Sequence, residues 1–164
     1  MSSRKFKFGP QPALDKAIAL QKKAEEAVAA ARKVVEEEKA KLERILQEIE
    51  TIRQRIRTEH DNLASPQRRV SDPRELMQDA RFIDALRLKE TKQLEAADRQ
   101  REQIVFAQDR LELRKRELAE AMAHVQALEK LKEKRREEFV EALEKSEEKK
   151  RDDQAIQLWN NKPG

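Results

Sequence analysis

At 164 residues, 43% of them charged and 4% aromatic, the chain has too few large apolar side chains for a compact two-layer core. A composition dominated by Ala, Glu, Lys, Leu and Arg points instead to long helix or coiled coil. The 37 basic and 33 acidic residues leave a net charge of +4. Both signs are interspersed along the chain, so they read as a solvated face with i,i+4 pairs rather than as a nucleic-acid footprint. The absence of cysteine excludes a disulfide framework and thiolate metal sites, and no apolar run approaches the ~20 residues of a membrane span.

Residues 1–10 form a basic lead-in carrying Phe6 and Phe8, expected to be flexible. No apolar h-region follows it, so it does not read as a secretory signal, and a cytoplasmic protein is expected. Gly9, Pro10 and Pro12 hold back a helix until about residue 11, where proline suits a first turn. Helix 1 is predicted over 11–63. Every seventh residue from Leu14 gives Leu14, Gln21, Val28, Val35, Leu42, Ile49, Ile56 and Leu63, all aliphatic but one. The companion series is Ala17, Ala24, Ala31, Glu38, Ile45, Ile52 and Glu59. This a/d seam lasts about seven heptads without glycine or proline and requires a partner helix.

Residues 64–73 read as the turn at a hairpin tip. Ala64-Ser65-Pro66 and Ser71-Asp72-Pro73 bracket a short basic link, Gln67 to Val70. Asp72 as N-cap, Pro73 at the first helical position and Glu75 three beyond the cap mark a new helix start. Helix 2 is predicted over 74–158, with seam residues Leu76, Ile83, Glu90, Ala97, Ile104, Leu111, Leu118 and Val125. Leu86, Ala107, Ala121 and Leu128 fill companion positions, flanked by Leu94 and Met122. Residues 159–164 form a tail beginning with the only tryptophan, Trp159.

Two long amphipathic helices joined by about ten residues fold most simply onto each other, because the intramolecular partner has the concentration advantage. The expected fold is all-α, a long antiparallel two-helix coiled-coil hairpin. With the fold near residue 68, Leu14 falls opposite about Ala123, leaving roughly 30 residues, ~45 Å, of helix 2 as an overhang. That overhang is mostly charge, with Lys130, Lys132, Lys134, Arg135 and Arg136 among acids. A thin apolar line persists through Leu128, Leu131, Phe139 and Leu143, suited to a groove or a pore lining rather than a core.

No catalytic, cofactor-binding or metal-binding constellation is present. His60 and His124 lie at opposite ends of the predicted hairpin, and without an interior glycine there is no phosphate loop. Gln21, Gln93 and Gln100 at seam positions read as register-setting residues. Phe82, beside seam residue Ile83, is either a flanking core residue or an apolar anchor near the tip.

Two stretches carry a family resemblance. The chain opens with Phe8-x-x-Gln11-Pro12-x-Leu14 before its long heptad helix. It closes with Leu128-Glu129-Lys130-Leu131-Lys132-Glu133-Lys134-Arg135-Arg136, Phe139, then Glu147-x-Lys149-x-x-Asp152-Asp153-x-Ala155. This pattern resembles the FliJ family of flagellar type III export proteins, and is similar to the YscO-type proteins of virulence injectisomes.

The resemblance implies a non-enzymatic central stalk, similar to the stalk of rotary ATPases and peripheral to the inner membrane at the export apparatus. Its partners would be the export ATPase hexamer, the cytoplasmic domain of the export-gate membrane protein, and export chaperones. Leu42, Ile45 and Ile52 with Phe82 and Leu86 resemble the family's gate contact, with departures at Glu48, Lys89 and Gln93. The ends would enter the ATPase ring, placing Leu128, Leu131, Lys132, Arg135, Arg136, Phe139 and Leu143 against it. The alternatives are a YscO-type injectisome stalk, a freestanding structural coiled coil, and an RNA-binding hairpin arm.

Overall fold

A computed structural model describes residues 4–67 and 72–162. Residues 68–71 of the expected tip turn, which include most of the basic link, lie outside the described residues, as do residues 1–3 of the lead-in and 163–164 of the tail. Two helices account for nearly all the rest: α1 (Gln11–Ala64, 54 residues) and α2 (Pro73–Asn160, 88 residues). They pack against each other as an all-α antiparallel coiled-coil hairpin.

Each helix begins where its local chemistry allows. The Gln11 amide donates to the Phe8 carbonyl at 3.0 Å, and the Leu14 amide to that of Pro10 at 3.0 Å, closing the first turn of α1. The Gln11 side chain then donates to Asp15 at 2.8 Å. At the start of α2, the Asp72 carboxylate accepts the Arg74 amide at 3.1 Å, while the Asp72 carbonyl accepts Glu75 at 3.0 Å. An aspartate N-cap thus meets two of the helix's orphan donors with two different oxygens.

The chain divides into two units, Ala27–Lys115 and the combination of Met1–Glu26 with Arg116–Gly164. Within Ala27–Lys115 the heptads give the core directly. Val28, Val35, Ile49 and Ile52 of α1 are buried, as are Ile83, Ala97, Ile104 and Ala107 of α2. Polar side chains at seam or edge positions find partners across the hairpin. Arg53 pairs with Glu90 at 3.0 Å and Arg87 bonds to His60 at 2.9 Å. Guanidinium nitrogens only donate, so the His60 Nε2 is the acceptor.

The second unit departs from the sequence expectation. Its core is Phe8, Leu14, Ala17 and Val125, with Phe6, Leu128 and Leu131 packed against it. Leu14 therefore meets Val125, half a helical turn from the expected Ala123. More consequentially, residues 4–10 of the lead-in, expected to be flexible, include two rings that dock onto α2. Phe8 is only 8% exposed, and the Phe6 ring lies 5.7 Å from that of Phe139. The physical reason is the apolar line on α2 beyond the start of α1. Left uncovered it would face water, and burying one phenylalanine side chain contributes about 1.5–3 kcal/mol. The overhang is accordingly covered in part, although α1 itself starts too late to do it.

Candidate functional site

The residues expected at the export gate all belong to the Ala27–Lys115 unit, and they differ in how much surface they offer. Ile52 is buried at a companion seam position, where a heptad residue points at the other helix. It supports the surface from beneath and presents none of its own, which corrects its expected place as a contact. Leu42, Ile45 and Leu86 are half-buried. Phe82 is 40% exposed, with the Arg55 guanidinium 5.4 Å from its ring centre. Such a cation–π contact at an exposed site is worth about 0.5–1 kcal/mol. The reading of Phe82 left open by the sequence thus resolves toward an edge residue rather than core. Two positions that depart from the family pattern face each other, since Lys89 and Glu48 approach to 4.0 Å.

A polar crossing sits further along the same unit. The Gln100 amide donates to the Glu38 carbonyl at 2.9 Å and also to the Glu38 carboxylate. Lys41 donates to that carboxylate at 3.0 Å. The Gln100 bond, then that of Lys41, holds the Glu38 carboxyl below its ordinary value of 4.5 against an opposing desolvation. Gln21 differs, because its amide bonds Glu25 on its own helix at 3.1 Å and so ties nothing across the seam.

The residues expected at the ATPase ring lie in the other unit, on α2. Leu128, Leu131, Lys132, Phe139 and Leu143 are half-buried, whereas Arg135 and Arg136 are exposed. Phe6 and Phe8 account for part of that burial, and Arg135 completes the arrangement with its guanidinium 5.8 Å from the Phe8 ring centre. The result is a composite end of lead-in and helix, with aromatic rings beneath and cations above. Beyond it the surface of α2 turns apolar again at Ile156, Leu158 and Trp159, which is 75% exposed. The sequence reading sends the lead-in into the ring beside the overhang but does not assign Phe6 and Phe8 a place on this surface. The available signal was their i,i+2 spacing, which puts both rings on one side of an extended segment.

Among the described residues no cluster of His, Cys, Asp or Glu has the arrangement of a metal site, and no helix is long and apolar enough to cross a membrane.

Comparison with known proteins extends the picture. Among solved structures, the fold is similar to that of CT670 from Chlamydia trachomatis, described as a YscO homolog. The TM-score is 0.79 at 18% identity, over 95% of this chain and 96% of that one. At that identity the likeness speaks to the fold. No curated protein sequence matches. The family model described as flagellar FliJ protein matches residues 11–164, a span holding both helices, and the chain therefore belongs to the FliJ family of type III export stalk proteins.

Proposed function

We propose that this protein is the non-enzymatic central stalk of a flagellar type III export apparatus, set in the export ATPase ring and coupling it to the export-gate membrane protein. The observation that carries this reading is the composite end built from Phe6, Phe8, Leu131, Arg135 and Phe139. A single stalk in a ring of six meets six near-equivalent surfaces. Mobile, charge-mediated contacts on a stiffened apolar base suit that task better than one deep anchor. Arg135 and Arg136 supply the exposed charge, to be met by acidic groups on the ring, and the aromatic contacts hold the helix that presents them. Lys132 and Leu143 extend the same surface.

At the gate, Phe82 is the anchor, with Leu42, Ile45 and Leu86 around it, and aromatic residues of this kind often dominate an interface. Export chaperones are further partners in this reading, and the protein works in the cytoplasm against the inner membrane. The flagellar assignment is preferred to an injectisome because the matching family model is the flagellar one.

The test is co-sedimentation of the full chain with the cognate export ATPase, with and without nucleotide. Wild type is expected to sediment with the hexamer. Reversing Arg135 and Arg136 to Glu is expected to weaken that association, most strongly at low salt where charge is least screened. Equal sedimentation of the double variant at every salt concentration would overturn the assignment of this end.

A further inference from the structure

On one side of the Ala27–Lys115 unit the two helices leave a crease open. α1 lines it with Ala27, Ala30 and Ala31, and α2 meets them with Ala107, so small side chains stand where longer ones would close the gap. Two adjoining depressions result, of about 570 and 290 Å³, both bordered by Val34, Ala107 and Arg110. Phe106 is 62% exposed, Leu113 49% and Val34 42%. Phe106 and Leu113 are two turns apart and so share a face of α2. Ile104 and Ala107, both buried, already supply the seam to α1 there. Phe106 and Leu113 are thus a second apolar row beside the seam, and isolated exposed side chains do not explain a contiguous row bordering a groove.

The charges around this crease are unequal in their commitments. Glu38 is held by Gln100 and Lys41. The Arg110 side chain borders both depressions and makes no hydrogen bond or ion pair with any described residue, and the same holds for the side chain of its neighbour Asp109 at the larger one.

We propose that this crease docks an amphipathic helix of a partner protein, laid along it as a third helix. Apolar residues of that helix at i, i+3 or i+4, and i+7 would rest on Val34, Phe106 and Leu113. An acid would meet Arg110, and a base would meet Asp109. Area selects this occupant over a second copy of the chain. The three large apolar side chains expose roughly 300 Å² between them, short of the roughly 500 Å² of apolar surface per partner in a stable homodimer interface. The crease runs along about 12 residues of each helix, ~18 Å, which is the length of some three turns of a docked helix. A contact of this size fits the helix-in-groove mode with a partner that binds and leaves. The surface uses none of the residues assigned above to the ATPase ring or the export gate.

The probe is a labelled synthetic helical peptide of about 20 residues. It carries leucines at the stated spacing, with glutamate and lysine placed for Arg110 and Asp109. It is titrated into the full chain by fluorescence anisotropy beside a scrambled peptide of equal composition. The patterned peptide is expected to bind saturably, and the scrambled one about tenfold more weakly or worse. Phe106→Ser and Arg110→Glu are each expected to cost about tenfold or more, and a peptide with its glutamate changed to lysine is expected to recover binding to Arg110→Glu. Both side chains are exposed, so circular dichroism should show unchanged helicity in the two variants. The proposal is overturned by equal binding of the scrambled peptide, by undiminished binding to Phe106→Ser, or by no binding at all. Self-association of the wild-type chain that Phe106→Ser abolishes would likewise overturn it, by making a second copy the occupant.

Discussion

Phe82 keeps 40% of its surface in water, and the guanidinium of exposed Arg55 lies over its ring. Truncating it removes little burial, so Phe82→Ala should leave helicity and thermal stability close to wild type. Binding to the export-gate cytoplasmic domain should weaken by about 1–3 kcal/mol, as truncation of an aromatic anchor does. Calorimetric titration of the variant checks this, and wild-type affinity combined with lost helicity would return Phe82 to the core. Glu38 makes a second prediction at the same scale. Its folded-state carboxyl lies below the ordinary value because Gln100 and Lys41 bond its charged form. That contribution to stability is present above the unfolded value of about 4.5 and is lost as pH falls through the lower, folded value. Gln100→Leu should therefore flatten the acid limb of a plot of urea midpoint against pH, with the difference from wild type shrinking below the carboxylate range. A difference that instead persists unchanged at low pH would assign the Gln100 effect to packing alone.

The lead-in and the far part of α2 are best considered together as elements. Phe8→Ala in a core would cost about 3–5 kcal/mol. A short segment docked at a chain end, however, can undock without unfolding what it sits on, so the loss is capped by local rather than global stability. Phe8→Ala should accordingly release residues 4–10 and raise hydrogen exchange across Leu128 to Leu143, while the amides around Ile49 and Ile83 stay protected. Exchange followed by mass spectrometry checks this, and uniform acceleration along the whole chain would contradict it. The same region shows where sequence legibility stops. The start of each helix and the end of α1 have local causes that a sequence displays, since Gly9-Pro10, Pro66 and Asp72-Pro73 act on the backbone where they stand. The docking of Phe6 onto Phe139 joins residues 133 positions apart, and no periodicity reports such a contact. A basic segment without heptads simply reads as solvated. The gate surface was legible only in part for a different reason. Apolar residues in the seam and beside it look alike in sequence, so Ile52, which is buried, and Phe82, which is not, could be separated only by the packing of the two helices. The crease at Phe106 is not legible in the sequence because Ala31 reads as seam and Ala27 and Ala30 beside it read as ordinary helix.

At the scale of the whole molecule, the hairpin depends on the apolar seam between two helices whose stability comes mainly from packing that face. Ile49 is 3% exposed in that seam. Ile49→Asp places an unpaired carboxylate there and should destabilise the fold by roughly 3 kcal/mol or more, read as a fall in urea midpoint. A midpoint within error of wild type would deny the seam its role. The central claim concerns which end meets which partner, and orientation tests it most directly. A photo-crosslinking residue is placed at Val140, 46% exposed, and in a second variant at Leu88, 58% exposed, and each full-length variant is irradiated with the assembled export ATPase hexamer. The account predicts ATPase adducts from position 140 and none from position 88. Adducts from position 88 alone would contradict it.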